Sequence, residues 1–252
     1  MGLDSRMNLK VIGSGSSGNA YVLETEKGSL MIECGLPLRK IQQAMNFSMT
    51  GVQGLLLSHF HQDHSRCIND VMRSGIEVFT GKGTSESLTL VGHRLNIVEE
   101  GKQFNVGDFT VLPFPTEHDA EGSMGFLIYH KPTKIKICFA TDTYYIRHRF
   151  TGLNFLLIEC NYCKDTLDYN IENGYIAREM KNRLLESHFS LEHVKGFLTA
   201  NDLSKVQKIV LLHLSYHNAD SERMIREISE LTGKDVVIAD AGKEIPLEMC
   251  PF

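Results

Sequence analysis

Residues 54–66 read GLLLSHFHQDHSR, three histidines and an aspartate within six positions directly behind an apolar run. A short continuous apolar run ended by Ser58 reads as a buried strand. His59, His61, Asp63 and His64 then occupy the turn that leaves the strand and opens a helix. Alternate residues of an extended segment share a face, so His59 and His61 can converge on one point. Asp63 and His64, at the turn into the helix, point to a second locus beside it. Imidazole and carboxylate are the donors that suit zinc, manganese or iron. The segment is therefore expected to ligate metal, and the rest of the fold must bring further donors to the end of this strand.

Apolar, β-rich runs recur through the chain, at 9–13, 20–24, 29–33, 54–58, 77–80, 109–114, 125–130, 136–140, 154–159 and 208–213. Helical spacing is expected after Pro37, where Leu38, Ile41, Ala44 and Met45 share a face, and over 84–91, 173–186, 190–201 and 219–232. Strands in both halves with helices between them favour a mixed α/β architecture over an all-β one. At 252 residues one domain is expected to cover 7–252, with residues 1–6 a leader ahead of Met7.

Composition narrows the class. No apolar run approaches the roughly 20 residues that span a bilayer, and MGLDSR lacks the apolar centre of a signal peptide. The cytoplasm is the default compartment. Six cysteines without a small-scaffold spacing read as reduced and mostly buried. Cys160 and Cys163 form one CxxC with no second pair to complete a zinc knuckle. A net charge of −5, from 26 basic and 31 acidic residues, excludes a chain that is basic all over, the usual nucleic-acid binder. Local basic clusters remain at Lys131, Lys134 and Lys136, at Arg147-His148-Arg149, and at Arg178, Lys181 and Arg183, where a solvated face is the ordinary reading.

The stretch His59-Phe60-His61-Gln62-Asp63-His64 resembles the signature of the metallo-β-lactamase superfamily. That resemblance implies a four-layer αββα sandwich with two metals at one edge, and further ligands in the order His, bridging Asp, His, each just after a strand. His118, Asp142 and His213 stand in those places. The implied wiring puts His59, His61 and His118 on one metal and Asp63, His64 and His213 on the other, with Asp142 bridging. A water held between two divalent ions loses a proton near neutral pH, so metal-assisted hydrolysis is the reaction class.

LLIECNYC, LESHFSLEHV and VLLHLSYHNAD are similar to segments of the phosphodiesterase and nuclease branch, as in ribonuclease Z. On that likeness Glu159 orients His188, and His188 serves the leaving oxygen as acid or contacts the phosphate. Phosphodiester cleavage needs an acid opposite the nucleophile in any case. GSGSSGNAYVLE, IECGL, HDAEGSMGF, ATDTYY and SHFSLE look like segments of the WalJ (YycJ)-type subgroup of small nuclease-like hydrolases. This implies a 5′→3′ exonuclease on DNA, with Asp63, His188 and Glu159 as catalytic residues. The Gly-rich turn 13–19 reads either as a hairpin or as backbone N–H groups meeting a phosphate, and Ser14, Ser16, Asn19 and Ser215 are the expected substrate contacts. Only 71 positions separate Asp142 from His213, too few for the cap domain of larger superfamily nucleases. The alternative substrate is a small cyclic phosphodiester, as for PhnP-type enzymes. The alternative class is an inactive metal-binding interaction protein, which seven intact donor positions argue against.

Overall fold

The computed structural model describes residues 7–249. The expected leader at 1–6 and Cys250 lie outside the described residues. The first half forms β1 (Met7–Gly13), β2 (Ala20–Thr25), β3 (Gly28–Ile32), α1 (Leu38–Ala44), β4 (Val52–Leu56), α2 (Gln62–Ser65), α3 (Ile68–Arg73), β5 (Val78–Gly81), α4 (Lys82–Ser87) and β6 (Leu95–Val98). The second half forms β7 (Phe104–Val106), β8 (Phe109–Pro115), β9 (Met124–His130), β10 (Ile135–Ala140), β11 (Phe155–Glu159), α5 (Lys164–Glu172), α6 (Glu179–Ser187), α7 (Leu191–Ala200), β12 (Lys208–Leu212), α8 (Ser221–Thr232), β13 (Asp235–Ile238) and β14 (Glu244–Pro246).

These strands build two sheets, ordered β14-β1-β2-β3-β4-β5-β6 and β13-β12-β11-β10-β9-β8-β7. Period-two alternation then dictates the layers. Leu9, Val11, Tyr21, Leu23, Leu30 and Ile32 face the second sheet, which answers with Ile137, Phe139, Phe155, Leu157, Val210 and Leu212. The intervening residues Ala20, Val22 and Met31 pack against α1 and α3, while Cys138, Leu156, Ile158 and Leu211 pack under α7 and α8. The result is the expected four-layer αββα sandwich. Phe139 meets Tyr21 edge-on across the seam at 5.7 Å, and truncating this fully buried ring to Ala costs about 3–5 kcal/mol.

Each sheet is half antiparallel and half parallel. β3, β4, β5 and β6 run parallel in the first, and β10, β11, β12 and β13 in the second. Parallel strands deliver all their C-terminal ends to one edge, which is where open α/β sheets gather functional side chains. Glu33, Ser58 and His59 leave the first sheet there, and Asp142, Glu159 and His213 leave the second.

Several expected boundaries shift. The helix expected over 173–186 starts only at Glu179, as α6, and α5 precedes the expected range, ending at Glu172. Gly174 adopts φ +73° between them, which breaks the helical path. The strand expected over 29–33 stops at Ile32 because Glu33 turns left-handed, with φ +63°. The helix expected over 84–91 ends at Ser87. Short β6, β7, β13 and β14, and helices α3 and α5, add to the expected elements. α7 and α8 start at side-chain caps, Ser190 accepting from His193 N at 3.1 Å and Asp220 from Arg223 N at 3.0 Å.

Candidate metal centre

The turn after β4 needs room, and Gly35 provides it. A Cβ on Gly35 would stand 1.7 Å from the Asp63 carbonyl oxygen, so no other residue fits beneath this turn. Asn19 N–H donates to the same carbonyl at 2.7 Å, and Cys34 N–H to the His64 carbonyl at 2.7 Å. The first sheet thus grips the turn from below and aims its side chains at the second sheet.

Donor atoms of His59, His61, His118 and Asp142 lie within 4.8 Å of one another, and so do those of Asp63, His64, Asp142 and His213. All seven expected ligand positions therefore meet, in two groups that share Asp142. A third group joins Asp142 and His213 to Glu159 and His188. His59, His64, Asp142 and His213 are buried, while the side chains of His61 and Asp63 are each 25% exposed, so solvent reaches the centre from their side. Asp142 and His213 adopt φ +42° and φ +53°, a strained region that non-glycine residues occupy mainly at functional sites.

The outward nitrogen of most rings is committed to the protein. His118 Nδ1–H donates to the Ser187 carbonyl at 2.9 Å, and His59 Nδ1 lies 2.8 Å from Ser58 Oγ. His213 Nδ1 is 3.1 Å from Glu159 Oε1, whereas His64 Nδ1, 3.5 Å from Glu33 Oε2, makes no hydrogen bond. The inward nitrogens are thereby turned toward the donor groups, the arrangement that metal-ligating histidines adopt. His59 Nε2 is buried without a hydrogen-bond partner, and His61 Nδ1 faces His118 Nε2 at 3.1 Å. A divalent ion beside them would be met by both nitrogens. The donor set fits divalent transition metals.

Burial disfavours charge throughout the centre, and the local partners decide the outcome at each group. Burial drives the His59 pKa well below the ordinary imidazole value, with His64 adding to the effect, and burial likewise lowers His118. At His213 burial is outweighed by Asp142, Asp63 and Glu159, and the pKa rises to about 10. At His64 burial is overcome chiefly by Asp142, which holds the ring's pKa well above its usual value. Burial would raise Asp142 and Asp63, but the surrounding histidines hold both carboxylates below their usual range. Burial raises Glu33, against the pull of His64.

Glu159 is fully buried and accepts four bonds: from His188 Nδ1 at 2.6 Å and His213 Nδ1 on Oε1, and from the backbone N–H groups of Thr143 (3.0 Å) and Phe189 (3.1 Å) on Oε2. Burial would raise its pKa, yet His188 and its other donors hold it low. Burial pulls His188 down, and Glu159 outweighs it, so that ring is raised.

The expected substrate contacts divide. Ser16 is exposed on its loop. Ser14 Oγ accepts from Tyr21 O–H at 2.8 Å and from His213 N–H at 2.9 Å, and Ser215 Oγ accepts from Asn218. Asn19 is fully buried, which corrects its expected place facing substrate. Its amide accepts from Gly15 N–H at 2.8 Å and reaches His64 Nε2 at 3.0 Å, so it braces that ring. His217 is exposed and joins none of the donor groups. The five described cysteines are free and buried, Cys160 and Cys163 under α7.

Sequence reasoning missed Glu33 and Asp119. Glu33 ends an otherwise apolar strand, a signal that could have marked it. Asp119 stands 3.2 Å from His118 Nε2, with Arg183 of α6 3.8 Å beyond it; nothing in the sequence distinguishes this aspartate from a loop residue.

Comparison with known proteins agrees with this geometry. Residues 30–214 match the model of the beta-lactamase superfamily domain. The chain is 28% identical over 239 residues to a protein named exodeoxyribonuclease WalJ of Streptococcus pneumoniae, covering 88% of this chain and 85% of that one. It is 25% identical over 265 residues to one named exodeoxyribonuclease YycJ of Bacillus anthracis, covering 96% and 98%. Among solved structures, the metallo-beta-lactamase fold protein YhfI of Bacillus subtilis superposes with a TM-score of 0.74 at 17% identity, over 96% of this chain and 99% of that chain. A diphosphatase of the PhnP family superposes at 0.67 with 15% identity, over 97% and 99%.

Proposed function

Because the chain belongs to the metallo-β-lactamase superfamily and is a metal-dependent hydrolase, we propose that it is a dinuclear phosphodiesterase that degrades DNA from a 5′ end. The observation that carries this reading is the His188–Glu159 pair, held at 2.6 Å beside two donor groups that share one aspartate. In this reading His59, His61 and His118 hold one ion, Asp63, His64 and His213 the other, and Asp142 both. Zinc, manganese and iron all suit that donor set. Two divalent cations held there would supply Lewis acidity for attack on a phosphodiester.

The chain's own residues do the rest. Glu159 keeps the proton on His188 Nδ1, and its negative charge favours the doubly protonated ring. Nε2–H then faces the substrate as the acid for the leaving alkoxide. That is the task of a general acid, and the side chain, 17% exposed, is within reach of a bound substrate. Asp63, also partly exposed, orients the attacking side of the centre. The names of the two curated relatives support DNA as the substrate, and the free, buried cysteines suit a reducing compartment such as the cytoplasm. Among the described residues no helix is long and apolar enough to cross a membrane.

The test is nuclease activity on end-labelled single- and double-stranded DNA, with manganese or zinc restored after chelation. Stepwise shortening from a 5′ end is the expected result. A protein that binds two ions, leaves every polynucleotide intact and hydrolyses cyclic phosphodiesters would overturn it.

A further inference from the structure

Behind the loop that carries Asp142 lies a cavity of about 170 Å³, walled by residues 145–149 and one face of α7. Tyr145, Ile146, His193, Gly196 and Phe197 are among its lining residues. Tyr145 stands three residues beyond Asp142, and three residues of extended chain span at most about 11 Å. The mouth of the cavity is thus close to the donor groups. On the opposite wall His193 lies five positions past His188, and its Nδ1 is 3.0 Å from the Tyr144 carbonyl, which joins the two walls.

Gly196 is the unexpected residue. It sits in the middle of α7, where glycine is less stable than alanine because the unfolded backbone is freer. Neither packing nor conformation demands it there. A Cβ at Gly196 meets no atom within 4 Å, and its backbone is that of an ordinary helix. Its missing side chain leaves open space at a position that lines the cavity.

The cavity's chemistry identifies an occupant. Tyr145 is 53% exposed, an aromatic face at the mouth, and Phe197 forms an apolar wall. Arg149 and Arg147, the latter paired with Glu117, also line the space together with Glu192. Pockets that enclose a whole drug-sized ligand run to about 300–1,000 Å³, so this one suits a single ring system of a molecule gripped elsewhere. An aromatic, sequence-tolerant wall beside cationic side chains is how proteins hold single-stranded nucleic acid. We infer that the cavity receives one nucleobase of the substrate strand, next to the bond being cut, with Arg149 on the adjoining backbone. This rests on the phosphodiesterase reading above.

Gly196→Ala and Gly196→Leu in the full chain test it, assayed on a single-stranded oligonucleotide and on methyl p-nitrophenyl phosphate, a diester without a neighbouring nucleotide. Gly196→Ala is expected to raise the melting temperature by about 1–4 °C. Gly196→Leu, folded and with unchanged turnover of the small diester, is expected to raise the oligonucleotide KM about tenfold, within the range of one lost base-stacking contact. Replacing the nucleotide beside the scissile bond by an abasic one should erase that difference between wild type and Gly196→Leu. An unchanged oligonucleotide KM in the folded Leu variant overturns the cavity's role and leaves the enzyme reading standing, as does a difference that survives the abasic substitution. A wild-type protein that cleaves neither substrate overturns the phosphodiesterase reading, and this inference with it.

Discussion

Substituting Glu159→Gln changes one charge and almost no volume, and the surrounding bonds dictate its consequences. The carboxylate accepts two backbone N–H groups on Oε2 and two imidazole Nδ1–H groups on Oε1. Backbone donors cannot turn away, so the single carbonyl oxygen of glutamine must take them. Its NH₂ then faces His188 Nδ1 and His213 Nδ1, and both rings must move their proton to Nε2 to accept from it. For His213 that removes the lone pair aimed at the centre. For His188 it removes the positive charge. Four bonds each weaken by about 1 kcal/mol on losing the charged acceptor, and relief from burying a carboxylate offsets about half. A net loss of about 2 kcal/mol lowers the melting temperature by about 4–8 °C in a chain of this size. Metal affinity should fall about 10–100-fold, as it does when a ligand's outer partner is lost. Competition with a chromogenic chelator and a thermal melt measure both quantities. A Glu159→Gln protein with wild-type melting and metal affinity within threefold would refute the idea that this carboxylate sets the ring tautomers.

His188→Ala should retain two ions per chain by elemental analysis while the chemical step slows about 10²–10⁴-fold in single-turnover kinetics; loss of an ion would make it a ligand instead. Asp142→Asn, which weakens the only donor common to both groups, should lower metal content below two ions and turnover to background; retention of both would sink the shared-aspartate arrangement. Glu227, paired with Arg223 and Lys195 at the α7–α8 contact, has its pKa lowered to about 2 by hydrogen bonds from those two side chains. A depressed carboxylate adds stability above its unfolded value of about 4.3 and loses it as pH falls through the folded one. Glu227 is partly exposed, so the gain is held to about 0.5–1 kcal/mol. Wild type should therefore out-melt Glu227→Gln at pH 7 and match it near pH 2, whereas a constant difference would contradict the pairing.

The candidate ligands lie at or shortly after the ends of apolar runs, and parallel strands carry their C-terminal ends to one edge whatever the connections between them. His118, Asp142 and His213 are each ambiguous alone, and it is the resemblance to the family's ligand order that singles them out. Short β13 and β14 cannot be read in the sequence, since three or four residues at a sheet edge carry too little periodicity to compete with a loop. The helix expected over 173–186 begins only at Glu179 because the left-handed backbone of Gly174, just after α5, keeps the start of that range from being helical. Asn19 misleads for a different cause: a polar residue in a Gly-rich turn looks exposed until the second strand places it under His64. Glu33 escapes notice although its carboxylate closes an apolar strand, a combination that burial makes costly without a partner.

Glu33, Asp142 and His213 all hold left-handed backbones at the same edge, each against a steric preference of about 1–2 kcal/mol. Glycine at Asp142 would relieve that torsion yet leave the buried His64 and His213 rings without their carboxylate, a loss of about 3–5 kcal/mol that outweighs the relief. The strained backbone and the charge cluster therefore hold each other in place, and an engineer seeking a hardier version of this chain should leave that edge untouched and work elsewhere on the scaffold.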